Sequence, residues 1–366
     1  MILTYKYRIK DRRARKALGV HAYAVNQVWN YCCAQQRDIE SRYRAGAPKR
    51  KWASHYDLQK LCKGAGAELG VHQQTIGEVC REFAAARDRN KGAPRFRSSF
   101  GTHRASGWVP FQYQSRQVDG NSVTYLGKRY RFWEGGRPLP ANAKGGAFIE
   151  DALGRWYVCF YVEVEAPQGG NAAIGMDLGL KSLAALSDGR KVEAPRIYRR
   201  HEQRLAIAQR AGNRQRVRRL HAKIKNCRRD FLHKLSTELA GQNALIAVGN
   251  VNAKHLARTP MAKSVFDAGW SAFRAMLAYK SAGYVEVDEK FTTQTCSQCG
   301  ALPPERPRGI AGLGMRQWEC SDCGAIHDRD VNAARNILAA ALSAQRLAGE
   351  SRINRISTRS PPSAIA

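Results

Sequence analysis

This chain is short of negative charge. Thirty Asp and Glu stand against 61 Lys and Arg, which leaves a formal charge of +31 over 366 residues. An excess of that size points to a polyanionic partner, and nucleic acid is the polyanion that fits. Long apolar runs are missing too. No stretch approaches the roughly 18 residues a spanning helix needs, so a membrane is not expected among the partners. Residues 1–10 are polar and basic and lack the apolar core of a signal peptide, which argues for a cytoplasmic, nucleoid-associated prokaryotic protein. There is no internal repeat at solenoid periods. The length leaves room for a sizeable core and two or three domains.

Cysteine is present in a pattern. Cys296-Ser-Gln-Cys299 and Cys320-Ser-Asp-Cys323 are separated by 20 residues. Four thiolates at that spacing make a tetrahedral cage for Zn²⁺, each pair on a tight turn. Two disulfides are the alternative, and a cytosolic chain does not keep them. A closed four-ligand site is structural, so this zinc should do no chemistry. Six further cysteines, Cys32, Cys33, Cys62, Cys80, Cys159 and Cys227, show no ligand spacing and read mostly as small buried apolar side chains.

Residues 2–9 alternate apolar and polar, as a strand does. Residues 12–88 switch to helical periodicity. Val20, Tyr23, Ala24, Gln27, Val28 and Tyr31 mark one helix, Tyr56, Leu58 and Leu61 a second, and Ile76, Val79, Cys80, Phe83 and Ala84 a third. From Pro94 the texture turns to β, with segments 108–113, 121–134 and 147–165 rich in Val, Tyr, Phe and Trp. The simplest reading is a β-barrel-like domain with a helical bundle inserted after its first strand. Residues 167–171 form a linker, and three short meander strands follow. Residues 196–229 carry thirteen Lys/Arg and one acid, Glu202, mostly at helical spacing, which suits a phosphate-tracking face. Then come a buried strand at 244–248, a helix near 267–281, a strand at 284–289, the cysteine knuckle and a helix from about Val331. The Ser/Arg/Pro-rich tail from about 349 reads as disordered.

Three strands, then helix, strand, helix, strand, helix is the element order of an RNase H-like sheet. Carboxylates at the ends of the first and fourth strands, with one from a late helix, hold two divalent cations there, and oxygen ligands suit Mg²⁺ or Mn²⁺. Asp177 ends the first strand between Gly175 and Gly179; the bland alternative is a turn Asp. Asp330 opens the late helix; its bland alternative is an N-cap, and Asp328 competes with it.

Ile-Gly-Met-Asp177-Leu-Gly, Arg228-Arg-Asp-Phe-Leu-His-Lys234, Phe291-Thr-Thr-Gln-Thr-Cys-Ser-Gln-Cys-Gly300 and Cys320-Ser-Asp-Cys-Gly-Ala-Ile-His-Asp-Arg-Asp-Val-Asn-Ala-Ala-Arg-Asn336 resemble TnpB. That is a transposon-encoded family of RuvC-type nucleases, ancestral to type V CRISPR effectors. The close matches span residues 174–338; residues 1–166 match only in architecture. The resemblance implies a multidomain α+β chain. A β-barrel wedge domain (1–11 and 89–168) would carry an inserted helical recognition domain (12–88). An RNase H-like (RuvC) α/β domain (169–290 and 326–348) would carry a zinc-ribbon-like insert (291–325), with a disordered tail at 349–366. It implies an RNA-guided DNA endonuclease whose guide RNA pairs with the target strand of double-stranded DNA, while the protein reads a short adjacent motif.

One departure is large. The family's second catalytic residue is a Glu at the end of the fourth strand, and here Gly249 takes that position, followed by neutral Asn250 and Asn252. In one explanation the carboxylate has moved. The next strand should lie beside the fourth and parallel to it, about 4.8 Å away. Val285, Val287 and Glu289 then share a face, and Glu289 can lean into the gap. Some TnpB-like chains are similar in carrying a Glu just before the Phe-Thr-Thr-Gln-Thr-Cys segment. In the other explanation the chain is a nuclease-dead, RNA-guided DNA-binding repressor of transcription. The intact motifs around Asp177 and Asp330 favour the active enzyme, with Asp177, Glu289 and Asp330 as Mg²⁺ ligands and Cys296, Cys299, Cys320 and Cys323 on zinc. A DNA-strand transposase is a further reading; it would need a Tyr nucleophile or a full acidic triad acting on transposon ends, and none of the 14 tyrosines sits in a His-hydrophobe-His context. Arg199, Arg200, Arg204, Arg216, Arg218 and Arg219 are candidate contacts to a guide–target heteroduplex. Lys49, Arg50, Lys51 and the basic stretch 91–97 are weaker candidates.

Overall fold

The computed structural model describes residues 2–11, 13–46, 52–112, 116–139, 141–165, 167–251, 253–308 and 311–357. The chain divides into two compact units, Met1–Glu165 and Ala166–Ala366. Lys49, Arg50, Lys51 and Asn252 lie outside the described residues.

In the first unit, β1 (Ile2–Ile9) leads into four helices: α1 (Ala14–Arg44), α2 (His55–Leu61), α3 (Ala65–Leu69) and α4 (Gln73–Asn90). Six strands follow: β2 (Trp108–Gln112), β3 (Arg116–Asp119), β4 (Ser122–Tyr125), β5 (Lys128–Trp133), β6 (Ala143–Glu150) and β7 (Trp156–Glu163). Together they form one antiparallel sheet in the order β2-β6-β7-β1-β5-β4-β3. The first strand is central because it pairs with β7 on one side and β5 on the other. Phe111 on β2 and Tyr125 on β4 stand 6.3 Å apart between ring centroids. Those strands are five places apart in the order, about 24 Å in a flat sheet. The sheet is therefore strongly curled, around an aromatic core of Tyr7, Phe111, Tyr125, Tyr130, Phe132, Phe148 and Phe160. Among the described residues no β2–β3 ladder closes it into a barrel.

The helices form where the periodicity put them, but two faces differ from expectation. On α1 the buried stripe is Leu18, Ala22, Val25, Trp29, Cys32 and Gln36, while Val20 is 59% exposed and Tyr23 and Tyr31 also face outward. On α2 a Ser54–Asp57 capping box starts the helix, yet only Leu58 is buried; Tyr56 and Leu61 are exposed. The α4 stripe of Ile76, Val79, Cys80, Phe83 and Ala84 is buried throughout. Arg97 stacks over Trp29 and Trp108, with 3.5 and 5.2 Å to the ring centroids, and burial pulls its pKa down to about 10. This member of the basic 91–97 stretch is built into the aromatic packing.

In the second unit, β8 (Ala172–Leu178), β9 (Ser182–Leu186) and β10 (Lys191–Glu193) form the antiparallel meander. The basic helices α5 (Ile197–Arg210) and α6 (Arg214–Gln242) then lead to β11 (Asn243–Gly249). Three helices, α7 (Ala253–Leu256), α8 (Ala262–Ala268) and α9 (Trp270–Lys280), precede β12 (Gly283–Val287). The sheet order is β10-β9-β8-β11-β12, with β11 parallel to both neighbours. A two-stranded ribbon, β13 (Gln317–Glu319) and β14 (Ile326–Asp328), feeds α10 (Arg329–Ser357). The last helix runs past residue 349, into the segment read as a tail; residues 358–366 lie outside the described residues.

Side-chain alternation splits the core. Ile246 and Val248 pack with Leu232, Leu239, Phe273 and Leu277, while Ala247, Val285 and Val287 pack with Ile337 and Ala341 of α10. The last helix crosses β8 so closely that a Cβ on Gly175 would stand 2.7 Å from Leu338 Cβ and collide with the Ala334 carbonyl oxygen. Only glycine admits α10 at that point, and the crossing brings the start of α10 to the sheet edge where Asp177 lies.

Candidate metal centres

Three carboxylates share the α10 side of this sheet edge. Asp177 is the penultimate residue of β8 and pairs with Ala185 across the meander. Extending the β8–β11 register by one residue beyond the Met176–Val248 pair sets Gly249 beside Asp177. The adjacent parallel strand β12 ends opposite Gly249, at Val287, and Glu289 follows two residues later. A Cβ built on Gly249 would overlap Glu289, with Cγ at 2.6 Å and Cδ at 2.7 Å and Oε1 nearer still. The glutamate therefore fills the space that a side chain at 249 would take.

Its backbone is pinned on both sides. The Glu289 N–H donates to Asn250 Oδ1 (3.3 Å), and its carbonyl accepts from Thr292 N (3.1 Å) and Oγ1 (2.9 Å). Glu289 Oε1 is buried with no hydrogen-bond partner. An ionised oxygen left like that is costly unless a cation completes it.

Asp330 lies in the first turn of α10 with its side chain 19% exposed, and it pairs with Arg316 and Arg329, each at 3.4 Å. Asp328 holds the cap: its Oδ1 accepts from the N–H groups of Asp330 and Val331, both at 3.1 Å. Its Oδ2 takes Lys191 at 2.6 Å. One aspartate thus serves the helix terminus and leaves the other directed elsewhere.

The charges interact. Burial first, then the carboxylates of Glu289 and Asp330, hold the Asp177 carboxyl well above the usual carboxylate range, with Arg329 opposing. Burial also raises Glu289, against the Val251 N–H and the charge of Arg274. A carboxyl raised in the native state binds its proton more tightly than in the unfolded chain. Its stability contribution is thus greatest at low pH and is lost as pH rises through the native value. Asp177→Asn is therefore expected to raise the melting temperature of the metal-free protein at pH 8, by about 2–4 °C per kcal/mol of relieved repulsion. It should also abolish the further rise that Mg²⁺ gives the wild type. Scanning calorimetry from pH 5 to 8 checks both; a variant melting below wild type at pH 8 would contradict the reading.

The four knuckle thiols form a second centre. Cys296–Cys323 and Cys299–Cys320 are 3.6 and 3.8 Å apart, and all four Sγ atoms lie within 4.8 Å of one another. A tetrahedron with bonds of about 2.3 Å has edges of about 3.8 Å, so the cage fits Zn²⁺ as it stands. The two halves repeat one another. Gly300 N–H returns to Cys296 O, and Gly324 N–H to Cys320 O. Both glycines have positive φ, +78° and +70°, which the tight knuckle requires. Burial raises Cys296, but the N–H groups of Cys299 and Gln298, with His327, outweigh it and bring the thiol to about 6. Nε2 of His327 lies 3.0 Å from Cys296 Sγ while its ring packs on Trp318, so the imidazole orients a ligand.

Two asparagines on α10 were not singled out by the sequence pattern. Asn332 is buried; it accepts from Ser297 N–H (2.9 Å) and donates to the carbonyls of Thr292 (3.2 Å) and Thr295 (2.7 Å). Asn336 donates to the same two carbonyls, each at 2.8 Å. They tie the knuckle segment to the helix that carries Asp330. Their spacing of four, on one helix face two residues after Asp330, was the available signal.

Among the described residues, the groups whose ligand atoms all lie within 4.8 Å are the knuckle thiols and a thiol trio in the first unit. Asp177, Glu289 and Asp330 are not among the groups that meet that limit.

The six candidate arginines on α5 and α6 are all exposed. Arg199 pairs with Glu202 at 3.0 Å, and Arg200 Nε donates to Pro195 O at 2.9 Å. The N-terminus of α5 is fixed by buried Asp267, which accepts from Tyr198 N–H and pairs with Arg228 at 3.1 Å.

Residues 270–337 match the family described as "Cas12f1-like, TNB domain", and residues 157–259 the one described as "Probable transposase". The chain is 39% identical to a Streptomyces pristinaespiralis protein named "Putative RNA-guided DNA endonuclease", over 90% of this chain and 85% of that one. It is 30% identical to "Putative RNA-guided DNA endonuclease InsQ" of Escherichia coli K12, over 87% of each. Its fold is similar to a Cas12f1 chain solved by cryo-EM with sgRNA and target DNA, at a TM-score of 0.57 and 13% identity, covering 89% of this chain and 83% of that one.

Proposed function

Since this chain belongs to the TnpB-like family of RNA-guided DNA endonucleases, we propose that it cuts double-stranded DNA at sites chosen by a bound guide RNA, through a divalent-metal site built from Asp177, Glu289 and Asp330. The observation that carries the reading is the Glu289 carboxylate standing in the space of a side chain at Gly249. The orphaned Glu289 Oε1 and the raised proton affinity of Asp177 support it, since both are relieved by a cation. A pair of Mg²⁺ or Mn²⁺ ions held there supplies the clamp on the phosphodiester and the acidification of water.

The residues' own work is to present three ionised oxygens from three elements. Asp177 is fixed by the sheet, Glu289 by Asn250 and Thr292, and Asp330 by the helix that Asp328 caps. The exposed arginines Arg199, Arg200, Arg204, Arg216, Arg218 and Arg219 are assigned to nucleic-acid phosphates, where each contact adds affinity without sequence preference. Guide pairing carries the sequence specificity, and the protein itself reads only a short adjacent motif in the duplex. Cys296, Cys299, Cys320 and Cys323 hold one structural Zn²⁺. The repressor reading explained an empty position 249; a carboxylate at that point removes its motive.

The test is cleavage by the purified ribonucleoprotein. The protein is co-expressed with the RNA encoded around its reading frame and challenged with a target library in Mg²⁺. Wild type should cut; Asp177→Ala should bind the same targets and leave them intact. Wild type that binds its target and never cuts would make this a guided repressor.

A further inference from the structure

The thiol trio sits in the helical part of the first unit, far from the carboxylates in sequence. Cys32 comes from α1, Cys62 is the C-cap of α2, and Cys80 comes from α4. Each Sγ lies within 4.8 Å of the other two. All three are buried within the apolar core that includes Val28, Leu58, Ile76 and Phe83. Cys33 gives the contrast. It is equally buried, but its thiol turns to the carbonyls of Pro94 and Arg95, at 3.5 and 3.7 Å, as a solitary core cysteine does.

We propose that Cys32, Cys62 and Cys80 form a three-sulfur site for one soft d¹⁰ cation, Cu⁺ on three sulfurs being the better match and Zn²⁺ with a water as fourth ligand the other. Sulfur donors select soft ions and exclude Mg²⁺ and Ca²⁺. No His, Asp or Glu joins the trio among the described residues, and residues 47–51, Ala-Pro-Lys-Arg-Lys, contain none. The protein thus offers three ligands, one short of the closed tetrahedron that structural zinc prefers. Ion capture releases thiol protons and ties three helices together at one point, so binding free energy becomes folding free energy of the bundle. The separation of the three cysteines along the chain explains why no ligand spacing announces the site.

The experiment uses the full-length chain with zinc loaded at the knuckle, titrated without oxygen with Cu⁺ held in a competing chelator. Bound copper and zinc are counted by elemental mass spectrometry. One Cu⁺ per chain should bind while one Zn²⁺ stays, and uptake should fall at least tenfold in Cys32→Ala and Cys80→Ala but not in Cys227→Ala, the exposed thiol on α6. Two zincs as purified, the second lost in Cys80→Ala, would support the site and assign it to Zn²⁺. Equal uptake by wild type and variants, or no uptake, overturns the proposal. If the alanine variants lose their helical circular dichroism, X-ray absorption at the copper edge of the wild type decides. Three sulfurs with zinc retained support the site; four sulfurs with zinc released assign the copper to the knuckle and sink it.

Discussion

Glu289→Ala is expected to lower target cleavage by on the order of 10³-fold, a loss of about 4 kcal/mol of transition-state stabilisation, while target binding stays near wild type. The complementary change is more telling. Glu289 occupies the space above Gly249, so Gly249→Glu alone forces two carboxylates into one volume and should lower both stability and activity. In the Glu289→Ala background that volume is open. The double variant Gly249→Glu/Glu289→Ala should regain at least tenfold in rate over Glu289→Ala, because β11 presents residue 249 beside Asp177. Single-turnover cleavage at saturating target measures all four proteins. Full activity in Glu289→Ala would remove Glu289 from the site; a double variant no better than the single would mean that its carboxylate is aimed elsewhere.

Zinc removal is the second large effect. Structural zinc in small finger domains supplies about 10–16 kcal/mol of apparent binding free energy at pH 7, and the ribbon of β13 and β14 has little core of its own beyond Trp318. Cys320→Ser, or a strong chelator, should therefore unfold residues 291–325. It should also abolish cleavage in excess Mg²⁺, although zinc touches no reacting atom. The route is the Asn332 and Asn336 bonds to Thr292 and Thr295, which join the knuckle segment to the start of α10. Asn332→Ala should retain zinc yet cost about 2–3 kcal/mol of stability, since it strands buried partners. Metal content, thermal melting and cleavage measured on the same preparations separate the two. A zinc-free protein that still cuts at the wild-type rate would break this chain of dependence.

Much of the nuclease half can be read from sequence because its signals are local. Paired cysteines declare a knuckle, and strand alternation puts Glu289 on the face of Val285 and Val287 before any contact is known. Asp328 and Asp330 are chemically identical and two residues apart; only where the helix begins assigns the cap to one of them. On α1 the residues chosen by periodicity lie on the correct helix but partly on its outer face, because Tyr and Val are apolar enough to mimic a core stripe while Leu18 and Ala22 make the contact. A barrel was expected from the run of strands, whereas closure depends on which edge strands meet. The thiol trio and the asparagine braces join residues far apart in sequence, and no window along the chain holds both partners.

The leash on Glu289 has a mechanical consequence. Thr292 grips the Glu289 carbonyl, and Asn332, two residues beyond Asp330, grips the Thr292 carbonyl. Two of the three carboxylates therefore share one hydrogen-bonded frame, which Asn250 ties back to the sheet that carries Asp177. A displacement entering at the knuckle is thus shared by Glu289 and Asp330, and the Asn250 bond to the Glu289 N–H is where the sheet resists it.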